Sequence, residues 1–297
     1  MTDFIVETSQ LCKSFKSKEA LRGLDLRVPV GSIFGFLGRN GAGKTTTIKT
    51  LLGLLRSDSG SAQVFGIPVT DADSTVGIRR RIGFVAEDKE LYPYMTVKQI
   101  IRYTRPFFPQ WRDDLAQRYL QMFELPPEGK IPNLSKGMRS KLMLLLAISR
   151  GAELLILDEP TDGLDPAAIE EVLRELVSIA ASSGATIFFS SHQLAEVERI
   201  ADQVGIIDQG RMIVSGSLDD MKLQYQRLQV VFADRVEMPA RWADGIASVR
   251  QEGRMVSILA SHNADAIVEQ AESIPGTTVE RFPVTLKEIF LEHVRSN

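Results

Sequence analysis

The stretch SIFGFLGRNGAGKTTTIKTLLGLL, residues 32–55, limits the fold of this chain more than any other. Ser32–Gly38 is a short apolar run of the kind that forms a strand buried on both faces, and it ends in a glycine-rich turn. From Lys44 to about Leu55 the pattern is helical. Between the two, GRNGAGKT satisfies every position of G-x-x-x-x-G-K-[ST] in the strand–turn–helix context that the motif needs. Gly38, Gly41 and Gly43 let backbone N–H groups converge on phosphate oxygens, and Arg39, Asn40, Ala42 and Thr46 belong to the same cradle. Lys44 supplies a point charge for β- and γ-phosphates, and Thr45 a hydroxyl for Mg²⁺.

Composition narrows what such a cradle can serve. A chain of 297 residues suggests two domains of ordinary size, and 44% hydrophobic residues are enough to give each a packed core. Basic and acidic residues nearly cancel, 35 against 38, without a like-charge block. That argues against a general nucleic-acid binder, which needs a concentrated basic face. Cys12 is the sole cysteine, so no internal disulfide can form and a reducing compartment fits. The N-terminal MTDFIVETSQ is acidic and lacks an apolar signal core, so secretion is not expected. The longest apolar run, Leu142–Ile148, falls far short of the ~20 residues of a membrane span, so the chain is not expected to cross a bilayer by itself.

Further strands are expected at RIGFVAE, ELLILD and ATIFFSS. Between the last two, Ile169, Val172, Leu173, Leu176 and Ile179 share one helical face, with Asp165 as cap, Pro166 in the first turn and Gly184 at the exit. This alternation predicts a mainly parallel sheet covered on both faces. GIIDQGRMIV (Gly205–Val214) reads as a hairpin turning at Gln209–Gly210. Residues 88–150 read as a helical insertion. After residue 220, LQVVFA, MVSILAS, NADAIVEQAESI and VTLKEIFLEHV suggest a small α+β domain at 221–297; the last segment places Leu286, Ile289, Phe290 and Val294 on one face.

Three segments besides the cradle carry chemistry. LLILDEP ends an apolar strand in Asp158, suited to hold Mg²⁺, and Glu159, suited to polarise water as a general base; acids after a strand also cap helices. SSHQ places His192 at another strand end, where ligands bind in parallel sheets, although a lone histidine is often a cap or a surface residue. His262 and His293 receive that plainer reading. LSKGMRSKL starts a helix at which Ser135 can cap the first turn and Gly137 allows close approach to the backbone, as at an anion site.

Taken together and in this order, the motifs resemble those of the ATP-binding cassette subunits of ABC transporters, over about Phe4–Gly216. The matching features are an early aromatic, the P-loop, a Q-loop region, the signature LSKGM, the Walker B acids, GLDP (Gly163–Pro166) and the switch histidine. The C-terminal part resembles an appendage of bacterial exporter-type cassettes. The resemblance implies an α/β fold: a P-loop NTPase (RecA-like) parallel-sheet core with a β subdomain and an inserted helical subdomain in residues 1–220, plus the small C-terminal α+β domain. It implies an ATPase using ATP and Mg²⁺ in a head-to-tail pair of cassettes, in which Ser135 and Gly137 of one copy meet the triphosphate held by the other. It further implies that Phe15 stacks on adenine, where the sequence alone allows a core phenylalanine equally, that Asp165 lies at the dimer seam, and that Glu159 and His192 serve catalysis. The implied partners are a second cassette and a separate transmembrane permease holding the chain peripherally at the cytoplasmic face of the membrane, with no nucleic acid.

Two positions depart from the family's usual pattern. LSKGM replaces LSGGQ, so Lys136 and Met138 stand for a glycine and the glutamine, and Lys136 is expected to add positive charge near the partner's phosphates. Glu87 stands where a glutamine is usual; a carboxylate there can ligate Mg²⁺ alongside Thr45 and Asp158, but at ~6 Å from a phosphate charge it costs about 3 kcal/mol, and which effect wins depends on whether Glu87 touches the metal. The aromatic-rich stretch ELYPYMTVKQIIRYTRPFFPQW suggests either subdomain core or a groove for a short helix of a membrane partner, with Tyr92–Met95 expected at the groove and Phe107–Trp111 in packing. A soluble ATPase of nucleic-acid maintenance or translation is the alternative. The interval between P-loop and signature is short and lacks heptads, and only one cassette is present, which favours the transporter reading.

Overall fold

Two twelve-residue strands open the chain in the computed structural model, β1 (Phe4–Phe15) and β2 (Lys18–Pro29), paired antiparallel. The structure describes residues 3–16, 18–88, 91–233 and 242–295, with residues 293–295 described by backbone alone. In β2 the buried Leu21, Leu24, Leu26 and Val28 are interleaved with outward Arg22, Asp25 and Arg27, so one face joins the core. Register shifts interrupt the pairing around Thr8–Leu11 and Lys13–Ser14. Such bulges break the period-two pattern of β1, whereas β2 keeps it over Leu24–Val28.

After β3 (Ile33–Leu37) and α1 (Lys44–Leu51), β4 (Ser59–Val64) and β5 (Ile67–Pro68) complete that sheet in the order β2-β1-β4-β5. Helix α1 ends earlier than the pattern to Leu55 predicts, because Gly53 adopts a left-handed conformation, φ +63°, just past it. The main sheet takes β3 with β6 (Ile82–Val85), β7 (Leu154–Asp158), β8 (Thr186–Ser191), β9 (Gln203–Asp208) and β10 (Arg211–Ser217), in the order β10-β9-β3-β8-β7-β6. Strands β6, β7, β8, β3 and β9 are parallel neighbours, so their carboxyl ends share one edge. Strands β3, β7 and β8 are buried at every position, as a doubly covered sheet demands. Helix α2 (Ala72–Arg80) precedes β6, α6 (Pro166–Ser183) joins β7 to β8, and α7 (Leu194–Ile200) joins β8 to β9.

Between β6 and β7 the described chain is helical: α3 (Val97–Thr104), α4 (Asp113–Met122) and α5 (Lys136–Ile148). Helix α5 buries Leu142, Leu144, Leu145 and Ile148, so its apolar run is packing rather than a membrane segment. Among the described residues no helix is long and apolar enough to cross a membrane.

The residues divide into two units, Met1–Ser215 and Gly216–Asn297. The second contains α8 (Leu218–Gln224), β11 (Gln226–Phe232), β12 (Ile246–Glu252), β13 (Met255–Ala260), α9 (Ala264–Glu272), β14 (Thr277–Phe282) and α10 (Leu286–Arg295). The boundary read at 220/221 therefore falls inside α8. Its sheet is ordered β12-β13-β11-β14 with antiparallel pairs. Leu228, Val230, Val256, Ile258, Ile267 and Ala271 form a core of its own. Strands β12 and β14 carry no buried run to announce them. The side chains of His293 and Val294 lie outside the described residues.

Candidate nucleotide site

Strand β3 delivers the chain to the carboxyl edge of the sheet, and residues 38–43 turn it back into α1. Gly43 sits at φ +117°, and a Cβ there would lie 2.8 Å from the Ala20 carbonyl, so only glycine fits this turn. The resulting cleft, of about 280 Å³, is lined by Phe15, Lys18, Ala20, Arg39, Asn40, Gly41, Gly43, Lys44, Thr45, Thr46, Glu87 and Glu159. Gly38 and Ala42 support the turn from below: the Gly38 carbonyl accepts a 2.8 Å bond from Lys44 Nζ, and Ala42 is buried. Lys18 and Ala20 belong to the cleft although the sequence offers no local signal for either; they arrive on β2, whose pairing is not legible there. Phe15 stands 47% exposed at the mouth of the cleft, so it is not the core phenylalanine that the sequence alone allowed.

The ends of β7 and β8 bring the acids beneath the cradle. Asp158 is buried, accepts the Ser190 hydroxyl at 2.6 Å and lies near the Thr45 hydroxyl. Burial raises its pKa, and those two hydroxyls work against that rise. Ser190 also receives the Glu159 backbone N–H at 3.0 Å, so one serine clamps both acids to β8. The Glu159 carboxylate bridges two segments: Oε1 lies 3.2 Å from Lys44 Nζ and Oε2 lies 2.8 Å from His192 Nδ1. Glu159 also holds φ +48°, a strained backbone for a residue with a Cβ, as is frequent at functional sites. Thr45 Oγ1 lies 3.4 Å from Glu87 Oε2.

Ser135, Gly137 and Asp165 line no part of this cleft. Ser135 is the exposed N-cap of α5, accepting the Met138 N–H at 3.1 Å. Asp165 caps α6, taking the N–H groups of Ala167 and Ala168 at 3.0 Å each. Lys136 does not project freely: its ammonium lies 2.8 Å from Asp162, in the loop leading to Asp165. In the single chain part of the Lys136 charge is therefore offset by Asp162, an exposed pair that costs little to open.

The family model described as "ABC transporter" matches residues 21–162. A second, described as "AAA domain, putative AbiEii toxin, Type IV TA system", matches residues 127–198, the segment from the signature through the acids. The bacitracin transport ATP-binding protein BcrA of Bacillus licheniformis is 38% identical over 73% of this chain and 71% of its own length. This chain belongs to the ABC transporter family. It is an ATP-binding subunit of that family, with a P-loop ATPase fold. The ABC transporter ATP-binding protein YtrB of Bacillus subtilis is 27% identical over 97% of each chain, so the likeness continues through the C-terminal unit. A solved structure described as the ATP binding subunit of an ABC transporter superposes with a TM-score of 0.67 at 31% identity, over 74% of this chain and 92% of that one.

Away from the cleft, Phe84, Leu91, Tyr92, Pro93, Tyr103, Met143 and Arg150 are among the residues lining a groove of about 500 Å³ in this ABC subunit. Tyr92 packs against Tyr94 and, edge-on, against Tyr103, and Tyr103 meets Phe107. Phe107 was expected in packing but is exposed, because the tight turn Arg105–Phe107 directs its ring outward toward Tyr103. Arg150 covers Phe108 at 4.2 Å, and no carboxylate pairs with it among the described residues. Burial lowers its pKa to about 10.

Proposed function

We propose that this subunit hydrolyses ATP within a head-to-tail cassette pair and drives export through a separate permease, sitting peripherally on the cytoplasmic face of the membrane. One observation carries the reading: Glu159 is buried at the cleft floor between Lys44 and His192. In this reading the N–H groups of residues 38–46 and the Lys44 ammonium grip the triphosphate, and Phe15 stacks on the base. Glu159 takes a proton from the attacking water, while His192 holds that carboxylate and the γ-phosphate in line. Ser135 and Gly137 at the tip of α5 meet the γ-phosphate of the facing copy, with Asp165 nearby at the seam.

The donor set fits Mg²⁺. Thr45, Asp158 and Glu87 offer a hydroxyl and two carboxylates within one network. Among the described residues no three His, Cys, Asp or Glu side chains form a protein-only metal cage. Mg²⁺ suits that pattern, because it is held by one or two carboxylates completed by substrate phosphates. When bound it would neutralise charge on the β- and γ-oxygens. The groove around Tyr92 and Tyr103 supplies the apolar seat for a short helix of the permease, which also carries the selective pathway for substrate.

The test is Glu159→Gln. The variant keeps ATP affinity, loses turnover by about 100-fold or more, and elutes as a nucleotide-bound dimer with Mg-ATP. A variant that still turns over, or stays monomeric with Mg-ATP, refutes the reading.

A further inference from the structure

We propose that Glu196 is a positioning residue that ties the loop 161–165 to the strand end bearing His192, so that the segment facing the partner cassette and the histidine at Glu159 keep a fixed spacing. Glu196 lies buried in the first turn of α7. Its Oε2 accepts the Thr161 hydroxyl at 2.7 Å and the Ser191 hydroxyl at 3.1 Å. Ser191 in turn accepts the Gln193 N–H at 2.9 Å, so α7, β8 and the loop after β7 meet at one oxygen. Oε1 is buried with no hydrogen-bond partner among the described residues.

Burying a carboxyl group with one bare oxygen is costly, and burial raises its pKa against the lowering effect of the two hydroxyls. An apolar side chain would fill the same space without that cost. What it could not do is hold two backbone segments at hydrogen-bond spacing. Both segments matter to the site. Thr161 opens the loop in which Asp162 pairs with Lys136 and which ends at Asp165, the α6 cap. Ser191 immediately precedes His192, which lies 2.8 Å from Glu159. Glu196 lines no part of the P-loop cleft, so it acts through Thr161 and Ser191 rather than on nucleotide. The inference rests on the proposed roles of Glu159, His192 and the partner-facing loop.

The experiment measures Mg-ATP turnover by the purified full-length chain and by Thr161→Val, Glu196→Gln, Glu196→Leu and, as a control on the site itself, Glu159→Gln. An amide oxygen still accepts both hydroxyls, so Glu196→Gln keeps kcat within about threefold. Thr161→Val and Glu196→Leu lower kcat about tenfold or more while KM for ATP stays within about twofold, the split expected of a group that orients others without binding substrate. If Glu196→Leu does not fold, Thr161→Val with a normal thermal melt decides. The proposal is overturned if Thr161→Val keeps kcat within about twofold, if KM rises in step with the loss of kcat, or if Glu196→Gln falls as far as a folded Glu196→Leu. Loss of turnover in Glu159→Gln beside normal turnover in Thr161→Val defeats this inference alone; turnover retained in Glu159→Gln defeats the site reading and the inference with it.

Discussion

The proposed function gives phosphate to both the cradle around Lys44 and the tip of α5, yet the two are finished to different degrees. Around Lys44 the polar groups are buried and committed to one another: Lys44 to Gly38 and Glu159, Asp158 to Ser190, Glu159 to His192. At the tip of α5 the groups are exposed and committed only locally, Ser135 to its own first turn and Lys136 to Asp162. The first arrangement is preorganised within one chain, as electrostatic stabilisation requires. The second has a hydroxyl proton and helix N–H groups to offer but no wall of its own, so it gains meaning from what a facing copy brings. On the proposed function, a chain divided in this way is expected to bind nucleotide alone and turn it over in company.

Removing the cradle's charge is the harshest way to break the comparison. Lys44→Ala takes away the buried ammonium of the cradle, leaving the cleft's other lysine, Lys18, on β2, and it leaves Glu159 buried without its cation. Affinity for ATP is expected to fall by about 100-fold, roughly 2.7 kcal/mol, and turnover with it. Equilibrium dialysis with the monomeric chain decides this; binding within a few-fold of the wild type would mean that the cradle does not depend on Lys44.

The opposite half sharpens the contrast. Ser135→Ala removes a helix cap and the hydroxyl offered across the interface. The cap alone is worth about 1 kcal/mol of stability. Nucleotide binding by the single chain should stay within about twofold, while turnover and Mg-ATP-dependent dimerisation drop about tenfold, because only the assembled site uses this residue. Weakened binding to the isolated chain would show that the tip reaches its own cleft, and the division between the two regions would be wrong.

How much of this was legible follows the range of each signal. The P-loop, the acids at the end of β7 and the capped helix α6 rest on residues close together in sequence, and Asp165, Pro166 and Gly184 sit where their local chemistry puts them. The parallel strands were legible because they are buried on both faces and read as continuous apolar runs. Strand β1 was not, because bulges spoil its alternation; β2 alternates only over the short run Leu24–Val28. Lys18, Ala20 and Glu196 were hidden for a different reason: each matters through segments far away in the chain, and no spacing encodes that. A glutamate in the first turn after SSHQ is a helix N-terminal residue by sequence; only the approach of Thr161 makes it more.

Lys136→Ala carries the smallest effect and tests the signature's departure most directly. Two outcomes are physically distinct. If the ammonium worked on a facing triphosphate, its loss would raise KM for ATP and make turnover less sensitive to salt. The structure has it paired with Asp162, with 61% of the lysine side chain exposed. Exposed pairs are worth about 0–1 kcal/mol, so stability should hardly move, a shift of about 4 °C or less in Tm for a domain of this size. Turnover should change less than about threefold, since loop 161–165 keeps its anchor at Glu196 when its tie to α5 is cut. A larger loss would mean that the two regions are coupled through Lys136 itself. The tip of α5 would then be a working part of its own chain's site as well as of its neighbour's.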